Sequence, residues 1–222
     1  MTSRVVAVVP LKQRSQRFPG KNLAILENKP LYEWILASLG QVNEIDEIYI
    51  FSSAQIFKVP SENISGKIRF KVRSESLDGD SVSINEVVRK FLEEIQAETI
   101  VLAHATSPFL SPKTISTCIR KVTDGSNDSA LGAVKLQKFA VFEGKALNFD
   151  RKKDLPPLQS IEPVVIEQGG LYVFKKELFL TENRRVGKNP HFEFLDIFES
   201  VDIDTIEDFN LAKSLLQNNH LN

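Results

Sequence analysis

The chain of 222 residues carries a single cysteine, Cys118, so it has no internal disulfide, and its composition suits a reducing compartment. Long apolar runs are missing as well. None approaches the ~20 residues that a membrane-spanning helix requires. An excess of one charge is also absent. The 28 basic residues stand against 29 acidic ones, a net charge of -1, which implies no broad basic face for nucleic acid. The N-terminus passes directly into an apolar strand, which argues against a signal peptide. There is no internal repeat, no low-complexity tract and no GxxxxGK[ST] phosphate loop. These absences point to a cytoplasmic protein with neither nucleic acid nor membrane as its main partner. The length allows one sizeable core, with room for a small appendage.

What is present is concentrated near the start. Val5 to Val9 form a continuous apolar run, as expected of a strand buried on both faces, and Pro10 is expected to end it. The following loop carries Lys12, Arg14, Arg17 and Lys21 and no acidic residue. In an open α/β sheet, ligands bind beyond the carboxyl ends of the strands. A basic loop there suits a polyanion such as a nucleoside triphosphate, although a merely solvated loop would look similar. Ser15, Pro19 and Gly20 favour the first reading, because a small hydroxyl and a tight turn let backbone N–H groups approach phosphate oxygens.

Further along, strands and helices alternate. Lys29-Pro30 should open a helix with Leu31, Trp34, Ile35 and Leu39 on one face, and Gly40 should stop it in the left-handed region. Strands are expected at Ile45–Phe51, Ile68–Val72, Thr99–Ala103, Ser129–Val134 and Leu171–Phe174, with Ser52–Gly66 as loop. Ile84, Val87, Val88, Phe91, Leu92 and Ile95 follow the helical i, i+3, i+4 pattern, and Ser83 with Glu86 makes a capping box. Ser111-Pro112 opens another helix, whose inner face holds Ile115, Cys118, Ile119 and Val122. Cys118 reads there as a small buried hydrophobe and not as a nucleophile. The stretch Phe139 to Gln168 looks irregular, charged and proline-rich, the kind of region that serves function or reaches a partner. The end of the chain reads as a strand through Asp202 and Asp204, then a helix facing inward with Ile206, Phe209, Ala212 and Leu216. The pattern implies an α/β fold, a mostly parallel sheet with helices on both faces.

Several residues could carry chemistry. Asp202 and Asp204, one residue apart on a strand, would point to the same face and repel unless a cation intervened; Mg2+ meets that need. Asp204 or Thr205 could instead cap the last helix, with Glu207 or Asp208 closing the box. His104, Thr106 and Ser107 follow a strand end on the ligand side, with His104 a candidate for substrate contact or for general base. Arg73 ends the third strand in a comparable place.

These residues resemble a known family. PLKQRSQRFPGKNL is similar to the N-terminal signature of the CMP-sialic acid synthetases, PAR-x-x-S-K-x-x-P-x-K-N. LDGDSVSINEVV resembles their second motif, HATSPF their QPTSP, RKKDLPP their RRQDLPP, QGGLYVF their NGAIYI, and DIDTIEDF their DIDTPEDF. The matches occur in order from Pro10 to Phe209. The resemblance implies one nucleotide-diphospho-sugar transferase-like domain over residues 1–222, with 139–168 as a dimerisation arm. It implies a homodimer that uses Mg2+ to transfer CMP from CTP to an acidic sugar. On the nucleotide side it places Lys12, Arg14, Ser15, Arg17, Lys21, Asn22, Arg73 and Ser83, with Asn22 towards the base and Lys21 towards the phosphates. His104, Thr106, Ser107 and Gln168 would face the acceptor, and Arg151 and Lys153 would approach its carboxylate in the neighbouring subunit. Asp202 and Asp204 would hold Mg2+ and, with Lys21, form the catalytic set.

The chain also departs from the pattern. Lys12 stands where the family usually has Arg, Gln16 where it has a phosphate-contacting Lys, His104 for its Gln and Gln168 for its Asn. Two other readings therefore stand beside the first: a nucleotidylyltransferase of the same fold with another sugar or base, and a CTP-binding protein without turnover.

Overall fold

Apolar side chains on both sides of the first strand require cover on both sides, and the fold supplies it. The computed structural model describes residues 4–61 and 66–219; part of the loop expected at Ser52–Gly66 lies outside them. In chain order the elements are β1 (Val5–Pro10), β2 (Ile25–Leu26), β3 (Lys29–Pro30), α1 (Leu31–Gly40), β4 (Glu47–Ser52), β5 (Ile68–Val72), α2 (Ile84–Glu94), β6 (Thr99–Ala103) and α3 (Pro112–Thr123). Then follow β7 (Ser129–Leu136), β8 (Val141–Phe142), β9 (Lys145–Ala146), β10 (Val164–Lys175), α4 (Lys176–Glu182), β11 (Pro190–Phe194) and α5 (Ile206–Asn219). Seven strands form one sheet in the order β11-β7-β10-β6-β1-β4-β5. Only β10 runs antiparallel to its neighbours.

Val5, Ala7 and Val9 of β1 pack with α1 and α3 on one face, while Val6 and Val8 pack with α2 on the other. Cys118 lies in the first of these clusters, and burial pushes its thiol up to about 12, as befits an inert core side chain. A third cluster joins Leu26, Leu31, Phe109 and Ile203 to Phe209, Ala212 and Leu216 of α5. The Phe18 ring meets Phe209 edge-on at 5.4 Å, so this cluster ties the basic loop to the end of the chain. From β1 the chain proceeds to β4 and β5 on one side and then crosses to β6 on the other. Such a reversal leaves a crevice beyond the carboxyl ends of β1 and β6. Among the described residues, no helix is long and apolar enough to cross a membrane.

Several details differ from the sequence expectation. Pro10 stays in β1, because the bond that continues its pairing is donated by Leu11 N–H to the Phe51 carbonyl. Lys29-Pro30 forms β3 of a small hairpin, and α1 begins after it. Gly40 is the last residue of α1, and Gln41 after it keeps right-handed geometry, so no left-handed stop is used. The region 139–168 is not structureless. It contains the β8–β9 hairpin and a 3-10 turn at Leu158–Ser160, and from Val164 it is already β10, paired with β7. Asp202–Asp204 is not a strand, because its backbone bonds to loops instead of to the sheet. Ile206 is 44% exposed, since α5 meets its cluster through Phe209, Ala212 and Leu216 and the first turn projects past it.

Candidate active site

The crevice between β1 and β6 is a cleft of about 510 Å3. Its lining includes Lys12, Arg14, Ser15, Gln16, Arg17, Lys21 and Asn22 from the loop after β1, and His104 to Thr106 from the loop after β6. Arg73 beyond β5, together with Asp80, Val82, Ile84 and Val87 around the start of α2, completes it. Five cations and one carboxylate, that of Asp80, thus line the cleft, and three of the cations also pair with carboxylates outside the lining, Arg17 and Lys21 with Asp204 and Arg73 with Asp78. Gly20 enters the loop's 3-10 turn (Lys21–Leu23) with φ 72, a left-handed geometry that glycine adopts without strain.

Lys21 is nearly buried. Its ammonium donates to the Ile203 carbonyl at 2.8 Å and meets Asp204 Oδ1 at 3.0 Å. Arg17 holds the other oxygen of Asp204 at 2.8 Å. The helix cap belongs to other groups. Thr205 Oγ1 accepts from Asp208 N–H at 3.3 Å, and the Asp208 carboxylate accepts from the N–H groups of Asp204 and Thr205. Those bonds hold the Asp208 carboxyl below its ordinary range against an opposing desolvation. Asp202 takes no part in these bonds. The protein around its carboxyl raises its pKa, a hydrogen bond with Thr106 pulls the other way, and Asp204 adds repulsion. The Ile203 N–H donates to the Thr106 carbonyl at 2.8 Å, fastening the two loops together.

The Arg73 side chain is 1% exposed, with Nη2 on Asp78 Oδ1 at 2.7 Å and on the Leu11 carbonyl at 3.3 Å. Its Nε and Nη1 have no partner among the described residues. A buried guanidinium with two unused donors on a cleft is costly unless a ligand completes it. His104 is half-exposed, and its pKa is lowered to about 4, first by desolvation and then by the charges of Arg185 and Lys21, with Asp204 opposing. The ring is therefore neutral near pH 7 and poorly matched to a general-base role.

Not every expected residue lines the cleft. Ser83 spends its hydroxyl on Glu86 N–H at 3.2 Å as the cap of α2, and its neighbours Val82 and Ile84 face the cleft in its place. Asn22 lines the cleft, but its Nδ2, expected towards the base, donates to the Lys12 carbonyl at 2.9 Å and braces the loop. Ser107 and Gln168 are buried behind the lining, where Gln168 Nε2 donates to Ser107 Oγ at 2.9 Å and Gly170 N–H donates to Gln168 Oε1. A Cβ at Gly170 would lie 1.9 Å from Ser107 Oγ, so only glycine admits this contact at the bulge of β10. Arg151 and Lys153 remain within the arm, on the Gly144 carbonyl and Asp150 respectively. Asp80 was not anticipated; it accepts from Gln16, while Lys12 donates to the neighbouring Gly79 carbonyl at 3.0 Å. Among the described residues, no group of three or more His, Cys, Asp or Glu side chains gathers as a metal cluster.

A cation-lined crevice at the switch point of a mostly parallel sheet is an architecture suited to binding a nucleotide. Solved structures agree: CMP:2-keto-3-deoxy-manno-octonic acid synthetase complexed with CTP superposes with a TM-score of 0.67 at 16% identity, over 98% of this chain and 100% of that one. The chain belongs to the cytidylyltransferase family, whose description it matches over residues 6–222. It is 26% identical to CMP-N,N'-diacetyllegionaminic acid synthase of Legionella pneumophila, over 97% of each chain. It is 23% identical to pseudaminic acid cytidylyltransferase of Campylobacter jejuni, again over 97% of each. Against N-acylneuraminate cytidylyltransferase A of Danio rerio, identity is 23% over 94% of this chain and 50% of the relative. The protein is thus a nucleotidyltransferase, similar throughout its length to synthetases of CMP-activated acid sugars.

Proposed function

We propose that the protein transfers CMP from CTP to the anomeric hydroxyl of an acidic nine-carbon 2-keto sugar, releasing pyrophosphate. The observation that carries this reading is the cleft itself, whose lining gathers Lys12, Arg14, Arg17, Lys21 and Arg73 and leaves the buried Arg73 with Nε and Nη1 unpaired. In the reaction the sugar oxygen attacks the α-phosphorus, a P–O bond forms, and the bond to the β-phosphate oxygen breaks with its electron pair leaving on pyrophosphate. The hydroxyl proton passes to solvent or to a neighbouring oxygen base. Charge grows on the non-bridging and leaving oxygens, where fixed cations such as Lys21 stabilise it without reorganising. The unpaired Nε and Nη1 of Arg73 suit the carbonyl oxygen of a pyrimidine base or a ribose hydroxyl, and the neutral His104 ring offers the acceptor one hydrogen bond.

The donor set fits Mg2+, a hard ion that takes one or two carboxylates and completes its shell with water and substrate phosphates. Asp202 and Asp204 would hold it, with Asp204 exchanging one of its two cationic partners, and the ion would supply charge neutralisation on the triphosphate. Residues 139–168 would form the dimerisation arm. Phe142, Leu147 and Leu155 are 58–63% exposed there, beside Val165 and Ile166 of β10, an apolar surface that a second subunit would cover.

Incubation with CTP, Mg2+ and N,N'-diacetyllegionaminic, pseudaminic and N-acylneuraminic acids tests the reading, with pyrophosphate release and product mass as readouts. Product of the mass of a CMP-sugar supports it. CTP binding without turnover on any acid would mark a binding protein instead, and turnover only with an unrelated acceptor would mark a different transferase.

A further inference from the structure

One cation near the cleft has no role in the proposed reaction. Arg185 lies on the segment 183–189 that joins α4 to β11, half-buried, its guanidinium carbon 4.3 Å from the centre of the Tyr172 ring. Among the described residues no carboxylate is within ion-pair distance of it, although its neighbour Arg184 pairs with Glu182. The Tyr172 hydroxyl donates to Glu167 Oε2 at 3.0 Å and is also within hydrogen-bond reach of Arg185. Tyr172 stands two residues along β10 from Gly170, whose carbonyl accepts from His104 N–H at 2.9 Å. The arginine is thus set beside the His104 end of the cleft, close enough for its charge to act on that ring.

Its segment is held at both ends. Asp128 Oδ2 accepts from Lys188 N–H and Asn189 N–H, each at 2.8 Å, and Ser129 Oγ accepts from Gly187 N–H at 2.9 Å. At the other end Asn183 takes a left-handed cap, with Asn85 donating to its carbonyl and Arg89 to its side chain. A cation whose backbone is anchored this way, resting on an aromatic face, is pre-organised for a planar anion.

We infer that Arg185 binds the carboxylate of the acceptor sugar, from the same chain that binds the nucleotide. The inference rests on the proposed function and names the residue that makes the acceptor class acidic. Arginine matches a carboxylate with two parallel hydrogen bonds, which a neutral sugar cannot return.

Steady-state kinetics on the full chain tests it, with pseudaminic, N,N'-diacetyllegionaminic and N-acylneuraminic acids and the methyl ester of whichever acid is turned over. Arg185→Ala should raise KM for the acid at least tenfold and leave KM for CTP within twofold, and Arg185→Lys should recover only part of the loss. The methyl ester should be a poor substrate that the wild type and Arg185→Ala use equally. Arg184→Ala should behave as the wild type, and circular dichroism melts establish that the variants fold. An unchanged acid KM in a folded Arg185→Ala protein, or a rise confined to CTP, overturns the inference and leaves the proposed function standing. No turnover of any acid by the wild type overturns both.

Discussion

Lys21, which lines the cleft, and Asp204, 183 residues further along the chain, meet at 3.0 Å. The contact joins the basic loop after the first strand to the entrance of the last helix. Asp204 contributes no cap to that helix, because Thr205 and Asp208 have taken the part. The carboxylate is therefore left to the two cations of the basic loop, Lys21 and Arg17.

This separation of roles gives a discriminating pair of variants. Asp204→Asn should lower kcat by ~10²-fold or more while the melting temperature stays near that of the wild type. Asp208→Ala should do the reverse, costing about 1 kcal/mol of stability with turnover largely kept. Chelation by EDTA should abolish activity, and added Mg2+ should restore it in the wild type. Full activity in both Asp202→Asn and Asp204→Asn would remove the metal assignment.

Arg73 should reveal itself through shape and not through charge. Arg73→Lys keeps a cation opposite Asp78 but loses the planar fork whose Nε and Nη1 are unpaired. KM for CTP should rise roughly tenfold, as the loss of a charge-assisted hydrogen bond does, with the unfolding transition little moved. Steady-state rates at varied CTP measure it, and calorimetric titration gives the accompanying change in Kd.

His104, with its pKa lowered to about 4, gives a signed pH dependence. Above its unfolded value near 6.5 the folded and unfolded states bind equal protons at this site. As pH falls from there towards 4 the unfolded chain takes up a proton first, so stability is lost across that window. Water in the open cleft reduces the effect to the order of 1 kcal/mol. Denaturant melts should show a shallower decline in His104→Gln than in the wild type. The His104 ring signals in NMR spectra should stay constant between pH 6 and 8.

The arm makes a hydrodynamic prediction. Sedimentation should show a dimer, and deletion of residues 150–159, which include exposed Leu155, should weaken it and lower acceptor affinity while CTP binding persists. A deletion variant that stays dimeric with unaltered acceptor affinity would show that the region serves neither purpose.

The sequence by itself determined the alternation of elements. Five consecutive apolar residues at Val5–Val9 have no stable place except a strand covered twice, and the spacing of Val87, Val88, Phe91 and Leu92 admits only a helix facing a core. It also placed the basic loop on the ligand side, because charge without a local partner at a strand end has a direct local reading. Tertiary structure alone decided which groups each side chain meets. Ser83, Ser107, Asn22 and Gln168 carry the polar chemistry of ligand contacts, yet each is engaged by a neighbour that local pattern does not reveal. Asp80 and Arg185 went unread for the converse reason. An acid beside Gln16 and a cation beside His104 are brought there by packing across the sheet, and nothing within a few residues of either announces it. Periodicity is a property of neighbours along the chain, so it survives in sequence. The partners of a buried charge are set by long-range register, and only the folded chain holds them.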